Sequence, residues 1–503
     1  MFTKLNSAAL AGMNCVPVEV EVDLHKGQTA FTIVGLADTA IKEAKDRIHS
    51  ALKNSDFAYP FNFRLVVNLA PADVHKEGSL YDVPMAVGIV QLGQKLLCEL
   101  DDALLVGELA LDGAVRHVSG ILPIALFARQ RGLRRLFVPA VDAPEAALVE
   151  EITIYPVRTL GELMRHLTGQ ALMAPYKRKH PDEEALPSSL IDLADIKGQP
   201  FAKRALEIAA SGGHNLLLVG PPGSGKTLLA KALPSILPPL RSAESLEVTA
   251  LYSIAGSLPA GLITQRPFRA PHHTSSAAAL VGGGRMPRPG EISLAHRGVL
   301  FLDEFAEFSP TVIDSLREPL EEGRITVSRA QGRLTFPARC LLVASMNPCP
   351  CGYASDPDRA CTCSSLAVGR YQRKISGPIA DRIDLHVAVP RVPLAKLESA
   401  DLAENSSAVR ARVLAARARQ AERFAGSGLH TNSEMGLAAI RQFCALDASS
   451  AELLRQAATA LHFSARSYHR LLKVARTIAD LEGSAAIIAP HVAEALQFRP
   501  QAE

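Results

Sequence analysis

No run of eighteen uncharged apolar residues occurs in the chain, which excludes an ordinary membrane-spanning helix. The opening stretch MFTKLNSAALAGMNCVPVEVEVDL passes straight into strand-like alternation without a convincing cleavage site, so the expected location is cytoplasmic, with no membrane partner. An excess of either charge is also lacking. Lys plus Arg number 54 against 51 Asp plus Glu, a net charge of +3, so any hold on nucleic acid must come from local clusters. Internal repeats and low-complexity tracts are absent. A disulfide framework is not indicated either: of eight cysteines, four crowd into residues 349–363, whereas Cys15, Cys98, Cys340 and Cys444 are scattered and read as ordinary buried residues.

What is present points first to nucleotide chemistry. Gly220-Pro221-Pro222-Gly223-Ser224-Gly225-Lys226-Thr227 fits the phosphate-loop pattern, and the preceding HNLLLV is the apolar strand that must feed it. Glycines let the backbone curl until its N–H groups face a β-phosphate, and the helix starting near Lys226 adds the positive end of its dipole. The pattern assigns Lys226 to the β- and γ-phosphates and Thr227 to Mg²⁺. Downstream, Val299-Leu300-Phe301-Leu302 reads as a buried parallel strand that delivers Asp303 and Glu304 to the same crevice. Asp303 would orient Mg²⁺ and Glu304 the attacking water, because phosphoryl transfer needs positioning and charge stabilisation more than covalent help. Together the two motifs predict binding and hydrolysis of ATP.

A chain of 503 residues is too long for one ordinary core, and two to four domains are expected. Residues 1–170 alternate strands with helical stretches, including an amphipathic helix at TAIKEAKDRIHSALKNS and a hairpin in LLVGELALDGAVRHV turning at Asp112-Gly113. Residues 171–190 mix prolines with charges and read as a linker. The ATPase core is expected over 191–395, with a Cys-rich insert at 349–363. From 396 to 503 strands disappear, and helical spacing runs through 406–424, 433–444, 448–461, 465–482 and 490–497.

Three stretches, NLAPADVHKEGSLYDVP at 68–84, QRPFRAPHHTSSAAALVGGGRMPRPGEISLAHRGVLFLDE at 265–304 and YHRLLKVARTIADL at 468–481, resemble the ComM/YifB family of magnesium-chelatase-like AAA+ proteins. The resemblance covers nearly the whole chain. It implies an α/β fold in three parts: an N-terminal Lon-protease-like (S5-type) domain, a AAA+ core of the helix-2-insert type and a C-terminal helical lid. It implies a homo-hexamer that is an ATP-driven motor on single-stranded or branched DNA, supporting branch migration of recombination intermediates in natural transformation. It also implies residue roles. Arg382, in Asp381-Arg382-Ile383-Asp384, is similar to the arginine that enters a neighbour's active site, where a planar guanidinium suits the charge of a transferring phosphoryl group; a surface Arg–Asp pair is the plainer reading. Asn347, ending LLVASMN, matches a sensor that hydrogen-bonds water or γ-phosphate. Arg466 matches a lid arginine that would draw the lid toward nucleotide, with Arg470 as the alternative.

The likeness to Lon places its serine nucleophile and its lysine base near Leu80 and Leu122. Ser79 adjoins the first, but VSGILPIALF at 118–127 holds no lysine, so residues 1–170 are expected to be a non-catalytic assembly or DNA-handling domain. Cys349, Cys351, Cys361 and Cys363 form two close pairs separated by a nine-residue loop. Four thiolates satisfy a closed, structural Zn²⁺ site, although C-x-C is tighter than the usual spacing, and free or redox-paired thiols stay open.

For DNA, Arg324-Ile-Thr-Val-Ser-Arg329-Ala-Gln-Gly-Arg333-Leu-Thr-Phe alternates about a turn and reads as a hairpin with cations at its tip. In the family such a hairpin faces a central pore, where Arg324, Arg329 and Arg333 would meet phosphates without reading sequence. A hairpin making only subunit contacts is the alternative. Arg285 and Arg288 in the insert are further candidates. His272-His273 is not read as a metal pair, since adjacent residues rarely face one way. Arg410, Arg412, Arg417, Arg419 and Arg423 are expected on a solvated helix face. Two other functions remain: a magnesium-chelatase motor subunit, and a protein-remodelling ATPase without direct DNA work.

Overall fold

The computed structural model describes residues 1–503 except 97, 178–190, 260, 285–287, 330–331, 355, 357, 376–378, 394–403 and 501–503. Most of the expected linker lies outside the described residues. Within its described part, Tyr176 donates its N–H to Ile154 O at 2.8 Å.

In Asn14–Lys26 the period-two pattern buries Val18, Val20, Val22 and Leu24 and turns Glu19, Glu21 and Asp23 outward, so one face must be covered. This strand lies inside a seven-stranded mixed sheet whose order is Ala30–Val34, Phe63–Ala70, Asn14–Lys26, Phe2–Ala11, Ala103–Leu105, Arg135–Pro139, Thr153–Val157. Helix Thr39–Asn54 contributes Ile41, Ala44, Ile48, Ala51 and Leu52 to the core beneath it, the spacing of one helical face, and Asp38 caps its start by accepting from Ile41 N at 2.8 Å. The hairpin at Asp112-Gly113 is shorter than expected. Only Glu108–Leu109 and Val115–Arg116 pair, because Ala103–Leu105 is taken up as a parallel strand of the large sheet.

The second sheet is fully parallel, in the order Phe268–Arg269, Val299–Leu302, Leu341–Met346, Leu216–Val219, Leu385–Ala388. Its central strands are continuous apolar runs because helices cover both faces. Parallel pairing has a direct consequence: the residues after each strand gather at one edge and those before each strand at the other.

The helices Ser406–Arg423, Leu437–Phe443, Ala448–Ala460, Ala465–Glu482 and Ala489–Gln497 pack behind this sheet, against Pro200–Gly212 and Lys226–Ile236. One apolar cluster joins Leu216 and Leu206 of the core to Leu472, Ile478 and Phe498. The helix expected at 433–444 begins only at Leu437, since Asn432 is buried and bonded to Asp480 and Thr477. No described helix is long and apolar enough to cross a membrane.

The arginine row is solvated only in part: Arg412 and Arg419 are exposed, Arg410, Arg417 and Arg423 are half-buried, and all five have partners. Arg410 donates to Ser235 O at 2.8 Å, Arg417 to Ala210 O at 2.8 Å and Arg419 to Asp480 O at 2.7 Å, while Arg412 pairs with Glu207 and Glu404 and Arg423 with Asp480. Long side chains carry their heads past the helix surface to neighbouring elements, which a charge pattern along one helix does not reveal.

The N-terminal part meets the ATPase core through Glu145, which accepts from Leu122 N at 2.7 Å and from Ser253 Oγ at 2.5 Å. Ser79 Oγ bonds the Glu108 carboxylate, and Leu80 and Leu122 are buried.

Candidate nucleotide site

The phosphate loop joins strand Leu216–Val219 to helix Lys226–Ile236. Gly223 and Gly225 have φ of 77° and 92°, the region glycine alone enters without strain. A Cβ on Gly220 would stand 2.1 Å from Val389 O, so the loop also needs glycine for close approach. Ser224 is only 3% exposed, and its hydroxyl has no hydrogen-bond partner among the described residues, although its carbonyl accepts from Gln199 Nε2 at 3.3 Å. A buried, unpaired hydroxyl in a glycine-shaped curl at a helix N-terminus fits an anionic ligand.

Lys226 Nζ donates to Gly220 O at 2.8 Å, Pro221 O at 2.9 Å and Asn347 Oδ1 at 3.3 Å. Burial pulls its ammonium below the ordinary lysine value, while Asp303 and Glu304 pull the other way. Asp303 Oδ2 accepts from Thr227 Oγ1 at 3.0 Å; its Oδ1 takes Ser345 Oγ and the Glu304 N–H. Thus a carboxylate and a hydroxyl, both hard oxygen donors suited to Mg²⁺, stand together beside the lysine. Glu304 is 56% exposed and has φ 50° and ψ 47°, a left-handed conformation costing about 1–2 kcal/mol for a non-glycine residue.

Two partners here escaped the sequence. His273 Nδ1 lies 3.2 Å from Glu304 Oε2, and Ser345 steadies Asp303. The His273 pair follows from strand register: Phe268–Arg269 runs parallel beside Val299–Leu302, so the residues after both strands meet at one edge. His272 instead contacts Thr274 Oγ1 at 2.9 Å, so the two rings serve different partners.

Arg382, Arg466 and Arg470 are not at this edge. Asn215, immediately before the phosphate-loop strand, donates to Arg382 O at 2.9 Å, and Asp384 and Leu385 N–H groups bond back to Asn215 O, which puts Arg382 at the opposite end of the sheet. A four-residue strand alone separates the ends by about 13 Å. There Glu321 receives Arg382 directly and Arg466 at 3.8 Å. Arg470 braces the same turn, donating to Ala380 O at 3.0 Å and Ile383 O at 2.6 Å. These arginines line a cleft of about 690 Å³ with Lys473, Arg417 and Arg339. Arg466 therefore does not reach its own chain's phosphate loop.

The four insert cysteines come together. Cys349 Sγ lies 3.4 Å from Cys351 Sγ and 3.6 Å from Cys361 Sγ, and all four sulfurs lie within 4.8 Å of one another. Among the DNA candidates, Arg324 and Arg333 are exposed on a hairpin of Arg324–Arg329 with Gly332–Pro337, Arg324 pairing with Glu322 at 2.8 Å. The hairpin touches the N-terminal part, since a Cβ on Gly12 would stand 3.3 Å from Thr335 O. Arg288 is exposed; Arg285 and the Arg329 side chain lie outside the described residues.

Family models described as "Magnesium chelatase, subunit ChlI", "Subunit ChlI of Mg-chelatase" and "Magnesium chelatase, subunit ChlI C-terminal" match residues 192–397, 20–142 and 403–499. The chain is 45% identical to the competence protein ComM of Haemophilus influenzae and 42% identical to the uncharacterized protein YifB of Escherichia coli, in each case over 98% of this chain and 96% of the relative. With the magnesium-chelatase 38 kDa subunit of Cereibacter sphaeroides the identity is 28%, over 30% of this chain and 51% of that protein. Motifs, parallel sheet and full-length identity agree: the chain belongs to the ComM/YifB family of magnesium-chelatase-like AAA+ proteins.

Proposed function

We propose that the chain is an ATPase working as a homo-hexameric DNA motor, a cytoplasmic helicase or branch-migration translocase for recombination intermediates. The observation that carries this reading is the division of cations between the two edges of one sheet, Lys226 at one and Arg382 with Arg466 at the other. A chain so built cannot bring Arg382 to its own triphosphate, but a neighbouring copy can. In this reading Lys226 and the loop hold the phosphates, Thr227 and Asp303 hold Mg²⁺, and Mg²⁺ neutralises charge on the bound phosphates. Glu304 orients the attacking water, with His273 holding its carboxylate, and Asn347 contacts water or the γ-phosphate. Arg382 and Arg466 of one copy then face the phosphates of the next. Cys349, Cys351, Cys361 and Cys363 enclose one structural Zn²⁺, leaving no open position for catalysis. Residues 1–170 serve assembly or DNA handling without proteolysis; Ser79 bonding a carboxylate supports that.

The name of the Haemophilus relative favours natural transformation as the setting. Unwinding of forked DNA and migration of a four-way junction, each requiring ATP, are the direct tests. The family models' names favour a chelatase motor as second reading. ATP hydrolysis that DNA leaves unchanged would support it against the DNA motor.

Within the motor, Arg329 at the hairpin end is the proposed strand contact, with Arg324, Arg333, Arg285 and Arg288 as neighbours. Arg329→Ala is expected to bind ATP and assemble normally while DNA-stimulated hydrolysis and unwinding fall together. The salt dependence of DNA binding should shallow by about one unit of log–log slope, one phosphate contact having been lost. Unchanged unwinding with an unchanged slope would remove Arg329 and leave the insert arginines as the contact.

A further inference from the structure

We propose that the four-cysteine knot is the mechanical seat of the phosphate loop, so that the metal it holds sets nucleotide affinity. This rests on the zinc reading above and adds a consequence for the ATP site. The knot starts at Cys349, two residues beyond Asn347, whose side chain accepts from Lys226 Nζ at 3.3 Å. Gly352, directly after Cys351, has φ 87°, and its N–H donates to Cys349 O at 2.9 Å. A Cβ on Gly352 would stand 2.7 Å and 2.8 Å from Cδ and Cγ of Pro222 and 3.8 Å from Cγ of Asn347. The knot's backbone thus lies on the ring of a phosphate-loop proline with no room for one methyl group.

A second strut runs from the same knot. Asp356, within the loop that joins the cysteine pairs, forms an ion pair with Arg391 at 3.1 Å, its own side chain fully buried. The adjoining Pro390 carbonyl accepts from Gln199 Nε2 at 2.5 Å, and the same amide reaches Ser224 O at 3.3 Å. The loop is therefore gripped at Pro222 and at Ser224, both times by elements tied to the cysteines.

Metal matters to this grip through the sulfurs. A tetrahedral zinc with bonds of about 2.3 Å sets its sulfurs about 3.8 Å apart; Cys349, Cys351 and Cys361 already stand 3.4–3.6 Å apart. Removing the ion returns the thiolates to thiols by proton uptake and breaks the four bonds that hold the sulfurs at this spacing. Without the ion the sulfurs spread, Gly352 leaves its seat on Pro222, and Asn347 moves with it. Because packed interiors transmit small displacements, the phosphate-binding N–H groups lose their alignment.

The test uses the full chain and reads binding of a fluorescent ATP analogue, with no turnover required. Metal analysis should find about one zinc per chain. Chelator-stripped protein should keep its far-ultraviolet circular dichroism, bind the analogue at least about tenfold more weakly, and recover when Zn²⁺ alone is returned. Gly352→Ala should keep its zinc and show the same weakening, which decides the matter if stripped protein unfolds. Zinc present, with wild-type affinity in Gly352→Ala and in folded stripped protein, would overturn the coupling while sparing the zinc site. Absence of zinc with four titratable thiols would overturn both and leave the ATPase reading untouched.

Discussion

Lys226→Ala is expected to abolish nucleotide binding at working ATP concentrations, while Glu304→Gln binds ATP and fails to turn it over. The two residues share one edge of the sheet but do different things. Lys226 is 8% exposed and its three hydrogen bonds go to loop carbonyls and Asn347, so its charge is buried where phosphate oxygens would take over those partners. Truncating one member of a buried charge pair costs about 2–5 kcal/mol, on the order of 30- to 4,000-fold in affinity. Glu304 is half-exposed and directed by His273, so replacing its carboxylate by an amide leaves the phosphate grip intact. Loss of a positioned acid–base group costs about 10²–10⁴-fold in rate. Equilibrium binding of a labelled nucleotide and single-turnover hydrolysis separate the two. Near-normal hydrolysis by Glu304→Gln would remove that residue from the chemistry and make its contact with His273 structural. His273→Ala should fall between wild type and Glu304→Gln in turnover, with binding unchanged.

What could be read from the sequence was what lies contiguous in it. The run from Gly220 to Thr227 and the strand ending in Asp303-Glu304 each carry their own local geometry, so an apolar run with its following polar residues located one edge of the sheet. The partners Ser345 and His273 depend on which strands lie side by side, information that no local spacing holds. The same limit hid Glu321. It sits before the hairpin, far in sequence from Arg382 and Arg466, and only the turn braced by Arg470 brings the three together. The arginine row after Ser406 was legible only in part, for another reason: Arg412 and Arg419 are exposed as expected, and the other three are half-buried. Its charges looked solvated because a helix pattern reports which face is polar, not whether a second element covers that face. Arg410 and Arg417 both end on carbonyls of helices from the ATPase core, Ser235 and Ala210. The cysteine pairs were legible as a cluster, but the contact of Gly352 with Pro222 was not, since a glycine's value there lies in the atoms it leaves out.

Arg382→Ala should retain ATP binding and lose hydrolysis by about 10³-fold or more, the scale of an arginine that stabilises charge on a transferring phosphoryl group. Binding survives because the phosphate loop of the same chain lies at the far edge of the sheet and keeps Lys226, Thr227 and Asp303. In the free chain Arg382 is 12% exposed and bonded to the Glu321 carboxylate, so a neighbour's triphosphate must compete with an internal anion for the guanidinium. Mixing supplies the decisive measurement. An Arg382→Ala chain offers a sound phosphate loop, and a Lys226→Ala chain offers a sound arginine; where the first meets the second across an interface, one complete site is formed. Two inactive proteins should therefore regain part of the wild-type turnover in proportion to such interfaces. Differently tagged chains that co-purify in the presence of ATP, yet show no hydrolysis above either alone, would confine Arg382 to holding Glu321 within its own chain and would leave the division of cations without a catalytic purpose.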